Sequence, residues 1–299
     1  MSHVSPPVID YEGSPYRTEF WEGRGRDYED LTERIALRHL LPPHGWRIAH
    51  LGAGFGRMTN ELGGYEQVIV LDYSRTMLQD AQARLGTSDR YIYVAADIYH
   101  LPLADGSCDA VLMERVIHHM ADVPAALAQI RSILSPGAPF VLEYASKRNL
   151  KAILRYWLRR QNWNPFDHEP VEFVKLNFDF HPEYMADCLR QAGFITRRRL
   201  ALSYFRLGLL KRIVPVSVLV ALDRLLQPTG GAAPFSPSVF TLNIAAGDTP
   251  AAGVDSAIFK CLNCGGTLHR GGDEMICARG DGRWRIHNGI YDFKEQVRD

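Results

Sequence analysis

Short apolar runs alternate with segments of helical apolar periodicity between Arg47 and Tyr144. This alternation is typical of successive βαβ units, which place parallel strands at the centre of a sheet. The run Val68–Leu71 is apolar without polar alternation, as expected for a strand that helices cover on both faces. The predicted strands are Arg47–Leu51, Gln67–Leu71, Tyr91–Ala95, Ala110–Met113, Phe140–Tyr144, Thr196–Leu202 and Val239–Ala246. We therefore predict a doubly wound α/β fold with a mostly parallel, seven-stranded sheet.

A glycine-rich bend follows the first predicted strand. Residues 50–56 have the sequence HLGAGFG, whose glycines let the backbone approach a ligand closely and present free N–H groups to an anion. We expect a helix to begin directly after this bend. The G-x-G-x-x-G spacing of dinucleotide-binding loops fails, because the third glycine would fall on Arg57 or Thr59. The compact G-x-G-x-G spacing suits S-adenosylmethionine better, and a tight turn without a ligand is the alternative.

Two carboxylates follow the second and third predicted strands. Asp72 lies where an acidic side chain can accept hydrogen bonds from both hydroxyls of a ribose, or else cap the helix that Ser74 begins. Asp97 can accept from an adenine amino group while Ile98 packs on the ring, and the alternative for Asp97 is a solvated loop acid. These positions predict a nucleoside-binding edge of the sheet.

Residues 47–144 resemble the methyltransferase domain shared by the ubiquinone- and menaquinone-type C-methyltransferases and many small-molecule O- and N-methyltransferases. The resemblance rests on HLGAGFGR, VIVLDYS, VAADIYHLPLADGSCDAVLMERVIHHM and LSPGAPFVLEY, and a looser one covers residues 11–246. It implies a Rossmann-like class I fold with S-adenosylmethionine as methyl donor. The residues that it implies for cofactor binding are Gly52, Ala53, Gly54, Gly56, Asp72, Tyr73, Asp97, Ile98 and Glu114. The chain departs from the family at His50, where Asp or Glu is usual.

Three titratable residues follow the fourth predicted strand, at the edge where ligands bind in open α/β folds. They are Glu114, His118 and His119, and we predict them as candidate catalytic groups. A sulfonium methyl is already activated, so the main task of the protein is to hold the acceptor in line, and a general base is optional. The alternative for His119 is packing against the loop with a hydrogen bond to a backbone carbonyl.

The predicted methyltransferase domain spans residues 1–246. Within it, residues from about 11 to 45 form either a lid over the cofactor or a helix that only covers the sheet. Helical insertions at about 147–180 and 205–237 combine Leu- and Val-rich stretches with basic residues. They predict a hydrophobic or anionic acceptor, such as an isoprenoid, acyl or polyketide-like molecule, and a solvated basic face is the alternative.

The C-terminal segment is predicted to form a separate small domain. Residues 247–256 are rich in Gly, Ala and Pro, as in a linker, and residues 257–299 are predicted to be zinc-ribbon-like. The candidate metal ligands are Cys261 and Cys264, which form a C-x-x-C pair, together with Cys277. This segment resembles the activator subunit of tRNA and protein methyltransferases, fused here in cis.

The fourth zinc ligand is missing from the expected spacing, because position 280 is Gly280. His269, Asp281 and His287 are candidate substitutes. A metal-free remnant held by its apolar core is the alternative.

The net charge of the chain limits the classes of partner that it is expected to bind. A formal net charge of zero argues against a surface built throughout for nucleic acid. The N-terminus does not have the pattern of a secretory signal, and the longest apolar run, Ile213–Leu222, is too short for a membrane span, so we expect a cytoplasmic enzyme.

The favoured hypothesis is methyl transfer to a small-molecule or lipid-like acceptor. The alternatives are an RNA or protein methyltransferase that uses the ribbon for contact, and a non-catalytic adenosyl-binding scaffold.

Overall fold

The computed structural model describes residues 6–232, 234–247 and 257–298. The predicted linker lies outside the described residues, apart from Gly247. The strands are β1 (Gly45–Leu51), β2 (Tyr65–Asp72), β3 (Tyr91–Ala95), β4 (Ala110–Met113), β5 (Pro139–Ala145), β6 (Val171–Val174), β7 (Asn177–Asp179), β8 (Phe194–Leu202), β9 (Ser238–Ala245), β10 (Leu268–Gly271), β11 (Glu274–Cys277), β12 (Arg283–His287) and β13 (Ile290–Gln296). The α-helices are α1 (Asp27–Leu40), α2 (Arg75–Leu85), α3 (Val123–Ile133), α4 (Leu150–Trp157), α5 (Pro182–Gln191), α6 (Gly208–Ile213) and α7 (Val216–Leu226).

One large sheet carries the strands in the order β10-β11-β12-β13-β3-β2-β1-β4-β5-β9-β8. The neighbours from β13 to β5 are parallel, whereas β9 runs antiparallel to both β5 and β8. The chain passes from β1 to β2 on one side and reaches β4 on the other, so the order reverses beside β1. Such a reversal opens a crevice at the carboxyl ends of the strands.

Both faces of the central strands are covered. Ala49 and Ile69 pack in one apolar cluster with residues of α3 and α5, while Ile48 and Val68 pack in a second cluster with residues of α1 and α2. Helices on both faces account for the unbroken apolar runs in these strands. The predicted doubly wound α/β fold is therefore confirmed.

Among the described residues the sheet has eleven strands, so the predicted number of seven strands is wrong. The seven predicted strands correspond to β1–β5, β8 and β9, and β10–β13 continue the sheet beyond β3. β13 pairs in parallel with β3, which places Ile290 opposite Tyr93 and Asp292 opposite Ala95. The unpaired N–H and C=O groups of an edge strand are a template for further pairing, and β13 uses those of β3.

The α-helix expected after the glycine-rich bend is absent from the described chain. Turns and a 3-10 segment at Thr59–Leu62 lead directly into β2. The segment ends in the pair Gly63 and Gly64, and glycine disfavours helix. A Cβ on Gly64 would lie 1.7 Å from the Pro43 carbonyl oxygen, so the close approach of two loops requires glycine there.

The predicted insertions have mixed structure. Residues 147–180 contain α4 and an antiparallel hairpin of β6 with β7, and residues 205–237 contain α6 and α7.

Within the described residues, no helix combines the length and the hydropathy that crossing a bilayer would need.

Candidate functional site

A cavity opens at the carboxyl ends of the central strands. Gly52 and Gly54 line it from the loop after β1, Asp72 and Tyr73 from the end of β2, and Ile98 from the turn after β3. The structure thus brings these five predicted cofactor-binding residues together at one cavity. Ala53, Gly56, Asp97 and Glu114 are not among its lining residues.

The glycine-rich bend depends on positive backbone φ angles. Gly52 has φ +66°, and a Cβ there would lie 2.1 Å from Cγ2 of Val116. Gly54 has φ +52° and open space where a Cβ would stand. The Ala53 N–H donates to the Leu71 carbonyl at 2.9 Å, which fixes the bend against β2. Gly52 is therefore required by packing and conformation, whereas Gly54 leaves room at the cavity.

Asp72 connects the bend to the start of α2. Its Oδ2 accepts from the Gly54 N–H at 2.8 Å, and its Oδ1 accepts from the Ser74 N–H at 2.9 Å. Burial raises the pKa of this carboxyl, and the backbone donors partly oppose that shift. Each carboxylate oxygen has two lone pairs, so both can accept a further hydrogen bond.

Asp97 contacts its own turn. Its Oδ1 accepts from the Tyr99 N–H at 2.9 Å, and its Oδ2 lies 3.2 Å from Nδ1 of His100. Its neighbour Ile98 is buried and faces the cavity, as the predicted packing against an adenine ring would need.

Glu114 belongs to a buried charge cluster that the sequence did not reveal. Arg57 Nη2 donates to Glu33 at 2.7 Å and to Glu114 at 2.8 Å, and Nη1 donates to Asp30 at 2.5 Å. Burial raises the pKa of Glu114, while Arg57 opposes the shift. We call these residues, with Arg115 bonded to Glu33, the Arg57 cluster.

The segment before β1 covers the Arg57 cluster and the cavity. The Trp21 ring lies on this cluster, with its centre 3.9 Å from Cζ of Arg57. Tyr11 and Tyr16 line the cavity, as do Val8 and Ile9, which precede the predicted lid. In the sequence, Val8 and Ile9 are distinguished only as a short apolar pair within a polar stretch.

His119 lines the cavity and has a fixed orientation. Its Nδ1 lies 3.0 Å from the Leu176 carbonyl, which can only accept, so Nδ1 carries the proton. Nε2 is then a lone-pair acceptor, 3.4 Å from the Tyr11 hydroxyl. Burial lowers the pKa of His119, which keeps the ring neutral.

The other two predicted histidine positions lie inside the protein. His118 does not line the cavity, and its buried Nδ1 has no hydrogen-bond partner among the described residues. Burial lowers its pKa well below the usual value, and the charges of Arg115 and Arg206 add to that effect. His50 packs its Nδ1 2.9 Å from Oγ1 of Thr59, and burial lowers its pKa to about 3.

A second cavity lies between the two predicted insertions. Leu150 and Leu154 of α4 line it on one side, and Leu207 and Phe235 line it on the other. Arg206 is also a lining residue. The insertions predicted to select the acceptor therefore share one cavity.

The three predicted metal ligands converge in the C-terminal segment. The sulfur atoms of Cys261, Cys264 and Cys277 all lie within 4.8 Å of one another. The three candidate substitutes for a fourth ligand, His269, Asp281 and His287, are all outside this group of ligand atoms. Three thiols at this separation fit the donor set of a tetrahedral zinc ion.

Comparisons with known proteins agree with this geometry. Residues 49–142 match the family model described as a methyltransferase domain. A demethylmenaquinone methyltransferase from Clavibacter sepedonicus is 32% identical over 115 residues, which cover 38% of this chain and 47% of that protein. A malonyl-(acyl-carrier protein) O-methyltransferase from Erwinia pyrifoliae is 29% identical over 126 residues, which cover 42% of this chain and 47% of that protein. The chain spans about half the length of these curated relatives.

The fold is also similar to that of solved methyltransferases. An S-adenosylmethionine-dependent methyltransferase from Mesorhizobium loti has a TM-score of 0.52 and 19% sequence identity, covering 73% of this chain and 99% of that chain. The chain therefore contains a methyltransferase domain, as predicted, and the likeness in fold extends beyond residues 49–142.

Proposed function

We propose that this chain transfers a methyl group from S-adenosylmethionine to a hydrophobic or anionic small molecule. The observation that carries the proposal is the meeting of the glycine-rich bend, Asp72 and Ile98 at one cavity at the switch point of a methyltransferase-type sheet. In this proposal Asp72 binds the ribose hydroxyls, Ile98 packs on the adenine, and the N–H groups of the bend face the methionine carboxylate. Asp97 accepts from the adenine amino group.

When bound, the cofactor supplies a methyl group already activated on a sulfonium. The protein's contribution is to exclude water and hold the acceptor in line. The covering residues Tyr11 and Tyr16 exclude solvent from the cavity. His119 lines the same space, and its Nε2 can accept a proton from an acceptor hydroxyl or amine that takes the place of the Tyr11 hydroxyl.

Glu114 and His118 act differently from His119 in this proposal. Glu114 is a positioning residue, because its carboxylate holds Arg57 and thereby the Trp21 ring of the cover. His118 supports its neighbour by packing, since the two rings lie 4.0 Å apart.

A zinc ion in the C-terminal segment is the second part of the proposal. Cys261, Cys264 and Cys277 would hold it, and Asp281, four residues after Cys277, is a candidate fourth ligand. Its role is structural, because Cys264 and Cys277 join separate parts of the ribbon that packs β13 against β3. Native mass spectrometry before and after chelation tests this, and a protein purified without zinc whose spectrum does not change when zinc is added would contradict it.

The acceptor class is supported by the site and by two relatives. The names of these relatives state that they act on demethylmenaquinone and on a malonyl group carried by a protein. The cavity between the insertions combines leucines with arginine, which fits an apolar or anionic molecule. The competing function, methylation of RNA or protein, is favoured by the ribbon and by the exposed arginines 197 and 198 of β8.

The test has two stages. Calorimetric titration with S-adenosylhomocysteine should show binding, and its absence would refute the adenosyl site. Transfer of labelled methyl is then measured into RNA, protein and organic-extract fractions of a cell lysate. Label in the organic extract supports the proposal, label confined to RNA or protein supports the competing function, and cofactor binding without any transfer supports a scaffold.

A further inference from the structure

The cavity between α4 and the segment after β8 contains a partly buried arginine with two unpaired nitrogen atoms. Arg206 lines this cavity, and its Nε and Nη2 are shielded from solvent with no hydrogen-bond partner among the described residues. Burial lowers the pKa of this guanidinium, and the charge of Arg115 adds to that effect. Shielded N–H groups are costly without a partner, and such groups are normally paired.

Four acidic residues interact electrostatically with Arg206. Glu29, Glu33 and Glu143 are bonded elsewhere, and the fourth is Asp179 in the lining of the cavity. Glu33 binds Arg57 and Arg115, and Glu29 binds Lys211. Glu143 accepts from the Arg115 N–H at 2.9 Å and from the Ser238 hydroxyl at 2.6 Å. None of the three hydrogen-bonds to Arg206 in the described part of the chain.

Other polar groups in the cavity are suited to receive an anion. Ser203 also lines it, and its buried hydroxyl has no hydrogen-bond partner among the described residues. Asp179 is the acidic lining group; burial raises its pKa to about 6 and the charge of Arg206 opposes that shift, so an anion bound beside it would raise the pKa further and favour the protonated form. A protonated carboxyl can donate to an anion instead of repelling it.

The outer lining combines apolar side chains with two exposed cations, Lys151 and Arg155. Leu150, Leu154 and Leu207 are 59%, 55% and 61% exposed, and Trp163 and Phe235 add aromatic surface. A cavity that combines cationic side chains with apolar surface matches a molecule with an acidic head and an apolar tail.

Arg206 is also close to the cofactor cavity. Its charge lowers the pKa of His118, whose ring lies 4.0 Å from that of His119, and it also acts on Arg115. His119 and Arg115 both line the cofactor cavity. A head group at Arg206 would therefore lie within electrostatic range of His118 and Arg115, which adjoin the proposed general base.

Resting on the proposed function, we propose that Arg206 is the anion-binding residue of the acceptor site and that the acceptor is an amphiphilic acid. Arg206 and Ser203 bind the acidic head group, and the apolar tail lies between α4 and the segment after β8. The buried guanidinium is thus paired only when the acceptor is bound.

The test compares decanoate with its neutral analogue decanol by calorimetry, with S-adenosylhomocysteine present. The wild-type protein should bind decanoate more tightly. In Arg206→Gln the Kd for decanoate should rise at least about tenfold, the scale of one lost charge-assisted hydrogen bond, while that for decanol stays within about twofold. Arg206→Lys should retain part of the preference. Arg160→Gln removes an exposed arginine outside the cavity and serves as the matched control.

A second readout separates binding from a structural role. Because an unpaired buried charge is removed, Arg206→Gln should keep or raise the melting temperature of the free protein, whereas a structural arginine would lower it. Equal affinity for decanoate and decanol, or a loss of decanoate binding in Arg160→Gln alone, would overturn the inference. If S-adenosylhomocysteine binds and decanoate shows no preference, only this inference fails; if S-adenosylhomocysteine does not bind, the proposed function itself fails.

Discussion

Replacement of Asp72 by Asn tests the cofactor site most directly. The two carboxylate oxygens accept from the Gly54 and Ser74 N–H groups at 2.8 and 2.9 Å. An amide presents one oxygen and one NH2 group, so one of these backbone donors must face another donor. The substitution therefore disturbs the bend or the start of α2, and it removes the negative charge offered to the ribose.

The effect should be larger on binding than on stability. A hydrogen bond to a charged group contributes about 1.5 to 3 kcal/mol, so the Kd for S-adenosylhomocysteine should rise about tenfold to a hundredfold. Burial raises the pKa of Asp72, which means that its ionised form costs desolvation in the folded protein. Loss of that cost offsets part of the lost hydrogen bond, so the free energy of unfolding should change by less than the binding energy.

The assay is calorimetric titration with S-adenosylhomocysteine, combined with thermal unfolding of the free protein. Asp89→Asn is the matched control, because Asp89 is exposed on the loop before β3. The ribose assignment would be refuted by an unchanged Kd in a folded Asp72→Asn protein. An equal loss in Asp89→Asn would show that general electrostatics, rather than this carboxylate, controls affinity.

Three further predictions concern the bend, the buried histidine and the added strands. Gly52→Ala should destabilise the fold, because its Cβ would stand 2.1 Å from Val116, whereas Gly54→Ala should mainly weaken S-adenosylhomocysteine binding. Equal melting temperatures of the two variants would contradict this contrast. The pKa of His50 falls from 6.5 to about 3 on folding, so between pH 6.5 and pH 3 the unfolded chain binds a proton that the folded protein does not. The free energy of unfolding therefore decreases as the pH falls through this range, by up to about 1.4 kcal/mol per pH unit. In denaturant titrations across this pH range, the free energy of unfolding should depend less steeply on pH in His50→Asn than in the wild-type protein. Identical slopes for the two proteins would count against this prediction. Deletion of residues 257–299 should expose the edge of β3 and cause concentration-dependent association in light scattering, and a stable monomer would argue otherwise.

The central strands could be predicted because their signal is local. Each is a short apolar run, and a strand covered on both faces leaves that pattern in its own residues. The predicted ends of Tyr91–Ala95 and Ala110–Met113 agree with β3 and β4. The placement of Gly52, Gly54 and Asp72 at strand ends was also local, since parallel strands bring their carboxyl ends to one edge.

The remaining features depend on contacts between distant parts of the chain. Nothing within residues 290–296 indicates that they pair with β3, because any strand with free backbone groups fits an open edge. The Arg57 cluster draws on α1, the bend and the end of β4, and charges that pair across such separations have no periodicity to reveal them. The prediction of a helix after the bend is wrong for a local reason, because Gly63 and Gly64 end the segment and glycine disfavours helix.

Residues 12 and 294 meet beside the proposed cofactor cavity. The Glu12 carboxylate accepts from the Arg75 N–H at 2.8 Å and from the Thr76 N–H at 3.2 Å, which ties the N-terminal cover to the first turn of α2. Lys294 of β13 lies 3.7 Å from the same carboxylate and 5.0 Å from the ring centre of Tyr73, a lining residue of the cavity. Closure of the cover and docking of the ribbon therefore stabilise the same turn beside Asp72. Because of this shared contact, loss of the ribbon should loosen the cover as well as the sheet edge, and we expect it to weaken S-adenosylhomocysteine binding in calorimetric titration.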